Sequence, residues 1–153
     1  MIDRAYVDTL LGEVAAAVGL ASLALDERDT SAFVVDDGDI RVELRFLPNL
    51  GAIDLMVRPA KVEVSGRRVL AMMAANFCWQ GAEGATLALE PRSRAPVLQL
   101  RCFEKDLAHG GLRSAIERLV RYSRSLPGWL ASIDDANGPP PAFRPGLNGG
   151  LRA

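Results

Sequence analysis

At 153 residues with 49% hydrophobic side chains, the chain is sized for one compact domain with its own core and no more. Lys and Arg number 18 against 19 for Asp and Glu, leaving a net charge of -1 and a pI near 5.8, a balance that argues against a nucleic-acid binder with a basic stripe. No run nears the ~20 apolar residues of a membrane span, the opening Met1-Ile2-Asp3-Arg4-Ala5-Tyr6 lacks the two regions of a signal peptide, and Cys78 and Cys102 are too few for a disulfide framework, so the cytoplasm is the expected compartment.

Residues 5 to 20 read as an amphipathic helix, with Val7, Leu10, Leu11, Val14 and Val18 at three- and four-residue steps and Gly19 placed to end it. Ala32-Phe33-Val34-Val35 is a short strand signal. Asp37-Gly38 within Asp36-Asp37-Gly38-Asp39 is the pair a tight two-residue hairpin turn prefers. Ile40, Val42, Leu44 and Phe46 then alternate with Arg41, Glu43 and Arg45, the mark of a strand with one buried and one wet face. After the turn at Pro48-Asn49-Leu50-Gly51, residues 53 to 58 alternate again. Pro59 is expected to end or bulge that strand, with Val62 and Val64 as an extension.

Arg67 to Trp79 reads as a second helix, with Ser65 as its N-cap. Val69, Leu70, Met72, Met73, Ala74, Phe77 and Trp79 surround it almost completely, and a helix without a polar face has to be covered on several sides. In so small a domain that points to a partner subunit. Residues 85–90 and 97–102 read as a second hairpin. A third helix carries Leu112, Ile116, Leu119, Val120 and Ser123, with Pro127 expected to kink or interrupt it near Leu126. Its arginines, Arg113, Arg118, Arg121 and Arg124, read as a solvated face. Residues 1–135 thus form the domain, and the Gly/Pro-rich residues 136–153 read as a mobile tail. The order is α-β-β-β-α-β-β-α, an α+β single domain with an antiparallel twisted sheet flanked by helices.

Chemistry is sparse. His109 stands alone beside two glycines, Cys78 and Cys102 read as buried apolar thiols, and neither has the setting of an activated nucleophile. Cys78, Cys102 and His109 lack the paired spacings of a zinc site. Asp36 to Asp39 lacks the twelve-residue ligand spread of a calcium loop, and Gly81 to Thr86 lacks the ending of a phosphate loop. No catalytic residue, metal ligand or cofactor is expected. Part of the surplus apolar surface is expected to form a dimer interface and part a peptide groove.

Leu70-Ala71-Met72-Met73-Ala74-Ala75-Asn76-Phe77 followed by Gly84-Ala85-Thr86-Leu87-Ala88-Leu89-Glu90 resembles the Tir chaperone family of class I type III secretion chaperones. Its pattern is a leucine-rich helix ending in Ala-Asn, a glycine loop and a Thr-Leu-Ala-Leu strand. Leu10-Leu11, Gly19-Leu20, Leu23 and Leu25-Asp26 fit its opening, and Leu119, Tyr122 and Trp129 fit its closing helix, so the likeness covers roughly residues 5 to 133. The resemblance implies a bacterial cytoplasmic homodimer without nucleotide or metal. Such a dimer binds the N-terminal segment of a secreted effector, keeps it non-globular and presents it for export, with the secretion ATPase as a further candidate partner and no nucleic acid. It implies a dimer interface through Val69, Leu70, Met73, Phe77, Thr86 and Ala88. It also implies effector contact through Val7, Leu10, Leu11, Phe33, Val35, Val42, Leu44 and Phe46. The alternative is a YbjN-like adaptor of the same fold acting outside secretion. A small enzyme with a carboxylate in a cleft is a third reading, which the sequence supports little.

Overall fold

The computed structural model describes residues 2–59, 62, 64, 66–77, 83–135, 138, 139 and 141–143, with Asp37 in backbone only. Helix α1 spans Arg4–Val18. The Asp3 carboxylate accepts the Tyr6 backbone N–H at 2.8 Å and so satisfies one of the free donors of its first turn. Gly19 ends the helix at φ 78°, a conformation that costs glycine little, and Leu20 N–H closes the motif on the Ala15 carbonyl at 2.9 Å.

Strands β1 (Thr30–Val35), β2 (Ile40–Leu47) and β3 (Ala52–Arg58) form a meander, and β4 (Thr86–Leu89) and β5 (Pro96–Phe103) a hairpin. All pairs are antiparallel, in the spatial order β1-β2-β3-β5-β4. The chain leaves β3, runs through α2 (Gly66–Ala75) and enters β4 beyond β5, so β1 and β4 are the two edges. The short α3 (Glu104–Leu107) and the long α4 (Gly111–Asp135) follow.

Period two decides which strand residues go inside. Phe33, Val35, Ile40, Val42, Leu44, Phe46, Ile53, Leu55, Val57, Leu98 and Cys102 all point to one face of the sheet and are buried. Against that face pack Val7, Leu10, Leu11, Val14 and Val18 of α1 and Leu112, Ile116, Leu119, Leu126, Leu130 and Ile133 of α4. Each such side chain contributes ~1.5–3 kcal/mol on leaving water, the main favourable term in a two-layer α/β domain.

Three expectations are corrected. Val35 pairs with Ile40, so the first hairpin has four linking residues, with a single 3-10 turn at Asp36–Gly38 instead of a two-residue turn. Asp36 adopts φ 55° and Gly38 φ 93°. Pro127 does not interrupt α4, which runs unbroken over 25 residues. A proline ring removes the donor to the Ser123 carbonyl, but buried side chains anchor the helix to the core on both sides of it, at Leu119, Val120, Leu126, Leu130 and Ile133. Finally, the segment taken for a free tail is partly seated: Phe143 is 3% exposed and belongs to the core, because α4 offers it an aromatic slot. Ser65, Cys78 and Trp79, and the tail beyond residue 143, lie outside the described residues.

The turn between α3 and α4 is tight. His109 and Gly110 both take positive φ, 53° and 77°, and a Cβ on Gly111 would stand 2.0 Å from the Asp106 carbonyl oxygen. Only glycine fits there.

Candidate functional site

Helix α2 is the element in which burial and apolarity part company. Ala71 and Met72 point inward and are buried. Leu70, Met73 and Phe77, at steps of three and four, lie on the outer side with 67%, 64% and 76% of their surface exposed. Three large apolar side chains in one stripe are a surface that seeks cover.

The end of α2 is locked to the sheet by Asn76. Its side-chain amide donates to the Leu87 carbonyl at 2.9 Å, and its amide oxygen accepts the Leu87 N–H at 2.8 Å. One side chain thus does for edge strand β4 what a neighbouring strand would do, satisfying both backbone groups of Leu87. These bonds tie the end of the stripe-bearing helix directly to β4. Thr86 and Ala88, on the outer face of β4, are half-buried, as is Val69. Of the six residues expected at a dimer interface, three are exposed and three border them on α2 and β4, elements in contact with each other.

The expected effector-binding set fares differently. Val7, Leu10, Leu11, Phe33, Val35, Val42, Leu44 and Phe46 are all buried between the sheet and its helices. The physical reason is that a sheet of this size has one apolar face, and α1 and α4 use all of it. These eight side chains form the floor of the domain and offer no groove.

The opposite face of the sheet is polar and internally paired. Arg101 grips Asp54 with two bonds of 2.7 and 3.1 Å, and Arg45 reaches the same carboxylate at 3.3 Å. Glu43 takes Arg41 at 2.6 Å and Arg58 at 3.2 Å. The bonds from Arg101, and then those from Arg45, hold the Asp54 carboxyl below its usual range. A shallow depression of about 480 Å³ runs over Arg45, Asp54, Met56, Thr86, Gln99 and Arg101. It is open, and its one carboxylate, Asp54, is already neutralised by arginine, which is not a poised general acid or base. At the edge of the sheet, β1 pairs on one side only, with Val34 48% exposed on the outer face.

Other reactive groups are quiet. Burial pushes the Cys102 thiol up to about 11, so it is a protonated core side chain at neutral pH. His109 is exposed in the α3–α4 turn. Among the described residues no group of three His, Cys, Asp or Glu side chains could hold a metal ion, and no helix is long and apolar enough to cross a membrane.

Sequence reasoning missed two features. Asn76 was visible as the last residue of an Ala-Ala-Asn helix end, but its bonds to Leu87 depend on how the chain returns to β4. Arg124, taken as solvated, donates two 2.6 Å bonds to Asp36, 88 positions away.

The architecture is that of known proteins. A chain of the crystal structure of the ExsC–ExsE complex superposes with TM-score 0.71 at 21% identity, covering 83% of this chain and 98% of that one. A chain of the HopA1–SchA chaperone–effector complex superposes with TM-score 0.62 at 15% identity, covering 84% and 99%. Comparison with curated proteins gives no match. The sequence itself matches the Tir chaperone protein (CesT) family over residues 9–126, from within α1 to Leu126 of α4 and thus through the Asn76 lock and the exposed α2 stripe, so the chain belongs to that family.

Proposed function

We propose that the protein is a cytoplasmic class I chaperone of type III secretion. As a homodimer it binds the N-terminal segment of a secreted effector, keeps that segment non-globular and presents it for export, with no catalytic step. The observation that carries this reading is the outer side of α2, where Leu70, Met73 and Phe77 remain exposed although the inner side of the same helix is packed. A second copy of α2 and β4, with Val69, Thr86 and Ala88 at the margin, is the cover this surface calls for.

Family membership and the two chaperone-fold neighbours support a client. With Phe33, Val35, Val42, Leu44 and Phe46 interior, the client site in this reading is the open edge of β1, the strand that carries the first two. β1 is an edge whose outer row of backbone groups can pair with an extended segment, while Val34 offers an apolar contact. Main-chain pairing also suits a client that stays unfolded, since it needs no prior tertiary structure.

The test is co-expression with the N-terminal segments of proteins exported by the host. A stable complex containing two copies of this chain, by light scattering after gel filtration, is the expected result. A monomer at micromolar concentration that captures none of them would overturn it, and a captured partner that is never exported would favour the adaptor reading.

A further inference from the structure

The open edge of the sheet is shorter than the strand that bears it. Phe46 N–H donates to the Asp29 carbonyl at 2.8 Å, which fixes the alternation along β1. Ser31, Phe33 and Val35 bond to β2, and the backbone groups of Thr30, Ala32 and Val34 point away from it. Thr30 is already served. Its N–H and hydroxyl donate to the two Asp26 carboxylate oxygens at 2.9 and 2.8 Å, and its carbonyl accepts the Asp26 N–H at 2.8 Å. Asp26 thus closes the start of β1 as Asn76 closes Leu87 on β4. Ala32 and Val34 keep their outward N–H and C=O groups without a partner among the described residues, two open rungs on an edge strand.

Negative charge is gathered around those rungs. Nine of the 19 acidic side chains but only two of the 18 basic ones fall in residues 1–39, the stretch that makes α1, β1 and the turns on either side of β1. Asp29 and Asp36 are neutralised by Arg4 and Arg124. Asp26 and Glu27 before the strand and Asp39 after it are exposed and have no ion pair among the described residues. Arg28 is the only basic residue between α1 and β1, and Arg41, opposite Val34, is engaged by Glu43. On the inner side of the sheet, between the two rungs, lies Phe33, whose 8% is the largest exposure left in the apolar core.

We propose that the segment taken by the β1 edge, in the chaperone reading on which this inference rests, is a short cationic strand. An apolar residue sits beside Phe33, its two neighbours pair with Ala32 and Val34, and Lys or Arg on both flanks faces Asp26 and Glu27 at one end and Asp39 at the other. Main-chain bonds hold the strand, and opposite charge selects it. At about 3.4 Å per residue, a nine-residue segment overreaches the six residues of β1 at both ends.

The experiment uses the full chain and two fluorescently labelled peptides, Arg-Arg-Thr-Val-Val-Val-Thr-Arg-Arg and the same sequence with Glu in place of each Arg. By anisotropy at low salt, the cationic peptide is expected to bind about tenfold tighter or more, an advantage that shrinks in about 0.5 M sodium chloride as the charges are screened. The double variant Glu27→Lys, Asp39→Lys, at exposed positions without ion pairs, is expected to reverse the preference. Val34→Pro removes one open N–H and no bond to β2, so it is expected to melt cooperatively and to weaken the cationic peptide by about tenfold. The double reversal tests the charge independently of how the proline is tolerated. Failure of either peptide to bind the wild type at millimolar concentration, equal binding of the two, or a preference unmoved by the double reversal defeats the proposal. The chaperone reading is judged separately, by capture of exported proteins, so a client captured without preference for cations overturns this inference alone.

Discussion

Asp36 is constrained twice over. Its backbone takes φ 55°, and its carboxylate receives two 2.6 Å bonds from Arg124 of α4, so the β1–β2 turn is tied to the helix layer. The guanidinium holds the carboxyl below its usual 3.8. A carboxyl whose pKa is lower in the folded state stabilises the fold while ionised: the contribution is complete above about pH 4 and is lost as pH falls through the native value. Asp36→Asn keeps a residue tolerant of positive φ and removes only the charge. It is expected to lower stability by about 1 kcal/mol at pH 7, the pair being partly screened, and by less at pH 3, as read from urea midpoints at the two pH values. Leu44 tests the reassignment of the effector set. At 2% exposure, Leu44→Asp buries a charge and is expected to abolish cooperative melting, a loss of about 4 kcal/mol or more. Val34→Asp, on the exposed outer face of β1, should shift the melting free energy by no more than about 0.5 kcal/mol while weakening client capture. If Leu44→Asp melts like wild type, the core assignment fails.

Elements with strong periodicity were legible in the sequence, and short or context-bound ones were not. The spacing of Val7, Leu10, Leu11, Val14 and Val18 with Gly19 behind them located α1 to within two residues at each end, because a stripe and a C-cap are local properties. The alternation from Ile40 to Phe46 located β2 in the same way. By contrast, α3 has four residues and is set by Asp106 accepting the Phe103 N–H at 2.9 Å, too brief a segment to carry a period. The continuity of α4 was unreadable because Pro127 is a local signal to stop, whereas the burial that overrides it comes from the distant sheet. The stretch beside Pro127 can be improved. A Cβ on Gly128 meets nothing within 4 Å, so Gly128→Ala is expected to stabilise by about 0.5–1 kcal/mol through the helix preference of alanine, raising the thermal midpoint by about 2–4 °C. A scanning-calorimetry midpoint at or below that of wild type would show that α4 needs its flexibility there.

At the scale of the whole molecule, the stripe of Leu70, Met73 and Phe77 ties the fold to its assembly. Met73→Glu places a charge in the middle of the stripe, away from the core. It is expected to weaken self-association by about 2 kcal/mol, roughly a thirtyfold rise in the dimer dissociation constant, with the far-UV circular dichroism unchanged. Sedimentation equilibrium reads it directly, and an unaltered association constant would place the interface elsewhere. The amino-acid sequence by itself determined the α+β class, the order of every element but α3, and the inward set of β2. These follow from periods of 3.6 and 2 and from turn residues that act on their own neighbours. Only the tertiary structure decided which apolar surface is spent internally and which is left over. Val42 and Met73 are both apolar residues on a regular element, and no local pattern separates them. One is covered because α1 and α4 converge on its face of the sheet, and the other is bare because nothing in the described chain reaches the outside of α2. The same holds for Phe143, a residue of a Gly/Pro-rich terminus that becomes core because two aromatic rings stand two turns apart on a helix beside it. Burial is a relation between distant parts of the chain, and a pattern read along the chain contains only one side of that relation.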